Sequence, residues 1–329
     1  MRKLTLGIVG VGYLGRIHTK LASGIDEIDL VGIYDQDLQR CRDVAKQFGT
    51  VAYSSLSALL SAVEAASIVV PTEVHHTVAL QALEQGCHLF IEKPIAHQVW
   101  EAREIHELAL ARGKKVQVGH IERFNPAFLG LRDLEIQPMF VECHRLSQYN
   151  PRGTDVSVIL DLMIHDLDII LHLVQSPLQS VQACGVSVVS EGEDIANVRL
   201  SFANGCVANL TASRISTKDM RKMRIFQQNC YIGIDFLGQK SQVISLARGA
   251  QQECGPDTAL LGQIGSGDSS RQVVLRTPPS PEVNSLQKEL QEFARAIIMD
   301  TQTPVTAQDG LQALELACDI LQKIKHPDF

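Results

Sequence analysis

The first 35 residues carry the pattern that most limits what this chain can fold into. An apolar run, Leu4–Val9, leads into Gly10, Gly12 and Gly15, and a helical pattern follows over residues 17–22. At such a turn, one glycine permits the tight bend, one lets a ligand approach the backbone, and one lets the helix pack closely on the strand. The pattern therefore predicts an α/β fold that begins with a doubly wound parallel sheet, the Rossmann fold.

The same turn predicts a dinucleotide site. Backbone N–H groups at the amino end of a helix attract pyrophosphate, so we expect contacts from the glycines and from Tyr13 and Leu14. A second apolar run, residues 30–34, ends at Asp35, which is placed to accept ribose hydroxyls and so favours NAD over NADP. Arg40 is also counted with the cofactor residues, because an arginine close to Asp35 suits the 2′-phosphate of NADP and so favours the other cofactor. The alternative is an ordinary glycine-rich turn with a helix-capping aspartate.

Composition narrows the class of protein. The 329 residues are 45% hydrophobic and 20% charged, which is ample for two domains with separate cores. The net charge of -7 opposes non-specific nucleic-acid binding, and no apolar run approaches the ~18 residues of a membrane span. Eight cysteines without a CxxC pair, in a chain that starts directly with a strand, indicate a cytoplasmic protein. We expect neither a nucleic-acid nor a membrane partner.

Two domains follow from a change of pattern near residue 122. Before it, apolar runs alternate with helical patterns, as in βαβ units: the runs are 66–70, 88–91 and 115–119, and the helical patterns are 56–63, 77–85 and 100–112. After it, strands joined by short turns predict an α+β domain with a large, mostly antiparallel open sheet. These strands are expected at residues 140–145, 181–189, 198–202, 206–215, 221–227 and 242–247. Residues 1–122 are therefore assigned to NAD binding, and residues 123–329 to substrate binding and oligomerisation.

Three helices are expected in the second domain, over residues 157–174, 283–299 and 307–325. The stretch 249–270, rich in Gly, Gln and Ser, is expected to be a long loop. Strands such as 206–215 carry apolar residues that we assign to both faces of the sheet. A second subunit is therefore expected to cover one face, giving a homodimer or homotetramer.

Glu92, Lys93 and Pro94 follow a strand of the first sheet at its carboxyl end, the edge where ligands of doubly wound folds bind. Beside the positive nicotinamide ring of NAD⁺, a lysine loses proton affinity and becomes usable as an acid or base. The alternative is a surface lysine beside a strand-ending proline.

Asp161, His165 and Asp168 are spaced i, i+4 and i+7 on the helix 157–174, so they share one face. The helix is otherwise apolar, and polar groups on it need partners. A solvated polar stripe and a metal site are the alternatives. His172 lies two turns from His165, too far to share an ion, and we expect no metal.

Four motifs occur in one order: the glycine pattern, Pro71-x-x-x-His75, Glu92-Lys93-Pro94 and Asp161-x-x-x-His165. Over essentially the whole chain, this order resembles the Gfo/Idh/MocA oxidoreductases. The resemblance implies that Lys93 lies at the reacting carbon, and that Pro71, Thr72, His75 and Glu92 line the nicotinamide and its ribose. It also implies that His165 accepts a proton or orients the substrate, and that Asp161 fixes the substrate hydroxyl or the imidazole.

The segment 119–126, GHIERFNP, gives the best indication of substrate. Arg123 is suited to a carboxylate or phosphate, and Asn125 to a sugar hydroxyl or amide; a linker with a salt-bridged arginine is the alternative. Arg152 is a further candidate, because several basic residues of this domain would suit pyrophosphate, namely Arg145, Arg152, Arg214, Arg221, Lys222 and Arg224. Scattered surface charge is the alternative for most of these.

Within the family, the sequence of this segment is similar to that of UDP-N-acetylglucosamine 3-dehydrogenases. Those enzymes make a 3-keto nucleotide sugar for an aminotransferase, in diamino-sugar pathways such as that of lipid A. The resemblance implies an NAD-dependent sugar dehydrogenase with a nucleotide-sugar substrate. A dehydrogenase of another sugar or inositol, and a non-catalytic NAD-binding regulator, are the alternatives.

Overall fold

A computed structural model describes residues 2–150, 156–248, 257–266 and 270–325. The chain divides into two compact units. The first comprises Met1–Ile121 with Val283–Glu315, and the second comprises Glu122–Glu282 with Leu316–Phe329.

The first unit begins with alternating strands and helices, as predicted. Its elements up to Ile121 are β1 (Leu4–Val9), α1 (Tyr13–Ala22), β2 (Ile28–Tyr34), α2 (Leu38–Phe48), β3 (Val51–Ala52), α3 (Leu56–Leu60), β4 (Ala65–Ile68), α4 (His75–Glu84), β5 (His88–Glu92), α5 (Val99–Ala111) and β6 (Val116–Gly119). Their bounds lie within a few residues of those expected, although α2 and β3 were not predicted. Only three residues of α2 are buried, so its apolar stripe is narrow.

Six parallel strands form the sheet of this unit within the described residues, in the order β3-β2-β1-β4-β5-β6. The order reverses between β1 and β4, which is where doubly wound sheets bind their ligands. Strand β1 is buried on both faces, which explains its continuous apolar sequence. The predicted Rossmann fold is confirmed.

The second unit contains α6 (Pro126–Leu129), β7 (Phe140–Leu146), α7 (Ile164–Val174), β8 (Leu178–Val186), β9 (Ile195–Phe202), β10 (Val207–Ser213), β11 (Met220–Gln227), β12 (Cys230–Asp235), β13 (Lys240–Arg248), β14 (Thr258–Ile264) and β15 (Arg271–Arg276). Among the described residues, nine strands form one sheet in the order β14-β15-β13-β12-β11-β7-β10-β9-β8. Only the pair β7–β10 in it is parallel, so the predicted large, mostly antiparallel sheet is confirmed.

The two faces of this sheet differ in polarity, which corrects one expectation. Alternate residues of β9 and β10, such as Val198, Leu200 and Leu210, are buried in the core with α7. The residues between them are mostly polar and more exposed, as Arg199 and Asn209 show. Apolar residues on both faces were expected for these strands, and that expectation is wrong.

The expected long loop 249–270 is also corrected in part. Residues 258–264 form β14, which pairs antiparallel with β15. Residues 249–256 and 267–269 lie outside the described ranges.

Two helices close the chain, α8 (Ser285–Ile298) and α9 (Ala307–Lys325). Although both were assigned to the second domain, residues 283–315 belong to the first unit. The reason lies in the core, because Leu290 and Phe293 of α8 pack with Phe90 of β5 in one buried cluster. A single boundary at residue 122 therefore does not describe the molecule. None of the helices in the described ranges is both long and apolar enough to cross a membrane.

Candidate functional site

The glycine turn between β1 and α1 fits the role that its pattern predicts. Gly10 has a φ of +89°, and a Cβ there would lie 2.4 Å from the carbonyl oxygen of Val69. A Cβ on Gly15 would lie 1.9 Å from the carbonyl oxygen of Gly10, so α1 packs directly on the turn. At Gly12 a Cβ would meet no atom within 4 Å, which leaves that backbone open to a ligand.

Helix α1 starts at Tyr13 without a side-chain cap. Its first N–H groups therefore suit an anion such as pyrophosphate. The Tyr13 side chain is 87% exposed and that of Leu14 37% exposed, so the outer surface of the turn carries both.

Asp35 follows β2 and is held against this turn. One carboxylate oxygen accepts a 2.8 Å hydrogen bond from the backbone N–H of Val11, and the other accepts one of 2.9 Å from that of Asp37. The Arg40 guanidinium lies 3.7 Å from Asp35 and 3.2 Å from Asp37. The acid and the base predicted for the adenosine ribose are therefore paired with each other.

Glu92 ends β5 and meets a residue that the sequence analysis did not identify. His18 of α1 is fully buried, and its Nε2 lies 2.9 Å from a carboxylate oxygen of Glu92. Its Nδ1 lies 3.0 Å from the hydroxyl of Ser67 in β4, which is also fully buried. A histidine on the packing face of a helix and a serine in an apolar strand both need polar partners, and that signal was available in the sequence.

His75 at the start of α4 binds backbone rather than solvent. Its Nδ1 and Nε2 lie 3.0 Å from the carbonyl oxygens of Pro94 and Val70, respectively. Burial lowers the pKa of His75, although those carbonyls oppose the shift. Both ring nitrogens thus face backbone oxygens of this unit, and the contact of His75 with the cofactor stays a prediction.

Lys93 lies between Glu92 and Pro94 at the carboxyl edge of the sheet, and it is half-buried. The Lys93–Pro94 peptide bond is cis. Pro71 and Thr72 follow β4 at the same edge, Pro71 exposed and Thr72 half-buried. The first unit thus gathers the predicted cofactor residues at one edge of its sheet.

In the second unit, Asp161 and His165 lie on a continuous helical stretch. It begins with a π-helical turn, Ile159–Met163, in which the N–H of Ile164 reaches the carbonyl of Ile159. Both side chains are half-buried. A π turn inside a helix is frequent at functional sites, and the sequence does not reveal it.

Asp168 takes a different partner, although it was predicted to share their face. Its carboxylate accepts 2.7 and 2.8 Å hydrogen bonds from Arg123, in a bidentate pair of which both side chains are buried. Asn125 caps α6 through the N–H of Ala127 and donates to Glu122 and to the carbonyl of Phe236. Arg123 and Asn125 therefore bind groups of their own unit, and their contact with the substrate stays a prediction.

Buried charge also surrounds Arg145. It donates to both oxygens of Asp166 and to Glu122, at 2.8–2.9 Å. Burial alone would lower the pKa of Arg145, but the charges of Asp166 and Glu122 raise it, so the guanidinium stays ionised. It is thus unavailable to pyrophosphate.

The other basic candidates of this unit mostly have local partners as well. Arg214 donates to the carbonyl of Val156, Arg221 lies 3.8 Å from Glu122, Lys222 lies 3.5 Å from Asp235, and Arg224 pairs with Glu142. Arg152 lies outside the described residues.

The fold and these motifs define the class of protein. Residues 4–120 match the Gfo/Idh/MocA oxidoreductase family, NAD-binding Rossmann fold, and residues 137–232 match the Gfo/Idh/MocA C-terminal domain. The chain belongs to this family and is an NAD-dependent oxidoreductase. The resemblance inferred from the four motifs is confirmed, as is the prediction of NAD.

Among its relatives, the chain is similar to UDP-N-acetylglucosamine 3-dehydrogenase of Acidithiobacillus ferrooxidans. The two are 40% identical over 238 residues, which cover 72% of this chain and 75% of that enzyme. A solved structure of that enzyme, GnnA, matches with a TM-score of 0.87 at 32% identity and covers 99% of both chains. The scyllo-inositol 2-dehydrogenase of Bacillus subtilis is 27% identical over 228 residues, 64% of this chain and 67% of that enzyme.

Proposed function

We propose that the protein oxidises the 3-hydroxyl of UDP-N-acetylglucosamine to a ketone with NAD⁺. The observation that carries the proposal is the likeness to the Acidithiobacillus ferrooxidans enzyme, which extends over 99% of this chain at 32% identity. The inositol dehydrogenase of Bacillus subtilis is less similar, at 27% over 64% of the chain. The motif order and the segment 119–126 support the same reading.

The reaction removes a hydride and a proton from one secondary alcohol. NAD⁺ supplies the hydride acceptor. The hydroxyl proton passes to a base of the protein, for which Lys93 and His165 are the two candidates. We propose that Asp161 holds in place either the substrate hydroxyl or the imidazole of His165. The products are the 3-keto nucleotide sugar, NADH and a proton.

Substrate choice is tested by following NADH formation with UDP-N-acetylglucosamine, scyllo-inositol and myo-inositol at equal concentrations. We expect turnover with the nucleotide sugar alone. The appearance of a 3-keto sugar in the product, identified by NMR, is the second criterion. Preferential oxidation of an inositol would contradict the proposal and favour the alternative within the family.

The role of Lys93 is tested by Lys93→Met, which keeps the length of the side chain and removes its charge. We expect turnover to fall by about three orders of magnitude, since a positioned acid or base contributes on the order of 10²–10⁴-fold. NAD affinity, measured by calorimetry, is expected to survive. Turnover at the wild-type rate would show that Lys93 takes no part in proton transfer.

The product and the assembly extend the proposal. A 3-keto sugar is a substrate for an aminotransferase. We therefore propose that an aminotransferase catalyses the reaction that follows this one, as in the synthesis of diamino sugars for lipid A. Coupled turnover with an added aminotransferase and glutamate tests this step. We also propose, on likeness to the family and not on the polarity of this face, a homodimer or homotetramer formed through the second sheet, which light scattering tests. The seven described cysteines are free thiols, which suits a reducing compartment such as the cytoplasm.

A further inference from the structure

Two buried histidines hold the residues on either side of Lys93. His18 reaches the segment from α1, the helix that follows the glycine turn, and contacts the side chain of Glu92. His75 reaches it from α4 and contacts the carbonyl oxygen of Pro94. Lys93 is therefore flanked by two residues, each of which is fixed by an imidazole.

The contacts of His18 leave the Glu92 carboxylate little freedom. The imidazole is fully buried and lies edge-on to Phe90, with ring centroids 5.4 Å apart. With its proton on Nε2, the ring donates to Glu92 and accepts from the hydroxyl of Ser67, so both nitrogens are satisfied. On its other side, Glu92 lies against Gly119, where a Cβ would come within 2.9 Å of its second oxygen.

His75 fixes the backbone on the far side of Lys93. Its ring lies between the carbonyls of Pro94 and Val70, 3.0 Å from each, and so contacts the residues that follow both β5 and β4. A neutral imidazole carries one N–H, and with that proton on Nδ1 the ring donates to Pro94. The residue is 1% exposed. Its contacts are to backbone oxygens, so they depend on the position of the chain and not on the identity of a side chain.

A buried polar arrangement of this kind has an energetic cost. Apolar side chains of similar volume would pack there without the desolvation that buried imidazole and carboxylate groups require. Satisfied buried networks, in contrast, select one geometry. A lysine side chain has several rotatable bonds, so it loses conformational entropy when it takes up one reactive position. If the backbone on either side of Lys93 is already fixed, less of that entropy remains to be lost.

We propose that His18 and His75 are positioning residues, which orient Lys93 for proton transfer by holding Glu92 and Pro94. The inference rests on the role proposed for Lys93 above. It adds that the glycine-turn helix sets the catalytic geometry through His18, in addition to its part in binding dinucleotide.

The first test compares His18→Leu with His18→Gln in the full chain. Leucine removes both polar contacts, whereas the glutamine amide can still donate to Glu92 and accept from Ser67. For His18→Leu we expect kcat to fall about 100-fold, as misplacement of about 1 Å does, with NAD affinity by calorimetry changed by less than about threefold. His18→Gln is expected to restore most of kcat.

A second readout is independent of turnover. The lysines are labelled by reductive ¹³C-methylation, and the NMR signal of Lys93 is assigned by its absence in Lys93→Met. We expect His18→Leu and His75→Leu each to shift that signal, while His88→Gln leaves the signal and kcat unchanged. His88 is a matched control, because it begins the strand that Glu92 ends.

The outcomes separate the possibilities. A folded His18→Leu with wild-type kcat and an unmoved Lys93 signal would overturn the proposal, as would a loss of NAD affinity in proportion to kcat. If His18→Leu does not fold, His18→Gln and His75→Leu decide by the same two readouts. If the wild-type protein oxidises none of the tested substrates, the proposed function fails, and the Lys93 signal still decides whether the two histidines position this residue.

Discussion

Asp35 shows how closely one side chain can be tied to its surroundings. Both carboxylate oxygens accept backbone hydrogen bonds, and the residue is 6% exposed. Its neighbour Arg40 is half-exposed and is drawn toward Asp35 and Asp37. The depression that Arg40 lines also contains Arg16 and the carboxylates of Asp37 and Asp43, so its formal charges balance. We expect the contacts of Asp35 and Arg40 to set which dinucleotide is preferred.

Replacing Asp35 by serine should shift cofactor preference toward NADP. The change removes a negative charge that repels a 2′-phosphate and releases Arg40 to bind one. We expect NADP affinity to rise and NAD affinity to fall, each about tenfold, or ~1.4 kcal/mol, as measured by calorimetry. In the double variant Asp35→Ser/Arg40→Ala, the gain for NADP should vanish. Its persistence there would assign the phosphate to another residue.

A second prediction at this scale concerns pH and His88. Burial, with the charges of Lys114 and Lys115, lowers the pKa of His88 from 6.5 to about 4, and its Nδ1 accepts from the N–H of Lys115. The unfolded chain therefore binds this proton more readily than the folded one. The stabilisation is complete above pH 6.5 and is lost as pH falls toward 4.

We expect the thermal unfolding midpoint to decline over this range, and to decline less in His88→Gln, whose amide oxygen can replace Nδ1 as acceptor. Calorimetric scans of both proteins between pH 4 and pH 7 measure the difference. Parallel curves for the two proteins would mean that His88 contributes nothing to acid sensitivity.

At the scale of elements, α1 is tightly constrained, because it packs on the turn that precedes it. A Cβ on Gly15 would overlap the carbonyl of Gly10, whereas one on Gly12 would meet open space. The two glycines of one motif therefore have separable roles, one in packing and one at the ligand surface.

The pair Gly15→Ala and Gly12→Ala tests this separation. Overpacking typically costs 1–3 kcal/mol, so we expect Gly15→Ala to lose about 2–3 kcal/mol of unfolding free energy in denaturant without ligand. Gly12→Ala should keep its stability and lose NAD affinity, because its methyl group occupies the approach of the pyrophosphate. Equal losses of stability in both variants would refute the distinction.

The same elements show how far sequence can predict this molecule. Strands β1 and β5 were predicted because parallel strands buried on both faces are continuously apolar. Strand β12 alternates only briefly and was missed. At the site, Lys93 was identified from its motif, but the pairs His18–Glu92 and Arg123–Asp168 join residues 74 and 45 positions apart. Such pairs depend on tertiary packing, which local patterns do not encode.

For the whole molecule, the two units are not consecutive in sequence. The first unit takes residues 283–315 from the far end of the chain, and α8 fills its core with Leu286, Leu290 and Phe293. The unit is therefore incomplete when it is cut at the position where the sequence pattern changes.

A fragment of residues 1–122 should accordingly fold poorly. Without α8, Phe90 and its neighbours lose their cover, and loss of a large buried aromatic alone costs about 3–5 kcal/mol. We expect no cooperative thermal transition by circular dichroism. A matched fusion of residues 1–121 to 283–315 through a flexible linker should restore one. Equally cooperative melting of both would show that α8 is dispensable.

This interleaving also sets an order of events during synthesis. Phe90 leaves the ribosome about 200 residues before Phe293, roughly 10–40 s at the usual rates of translation. Throughout that interval the part of the nascent core that α8 covers lacks that helix, so it is open to chaperones or to a neighbouring nascent chain. Ribosome profiling of chaperone-bound nascent chains should find engagement that starts after β5 has emerged and ends once α8 has followed.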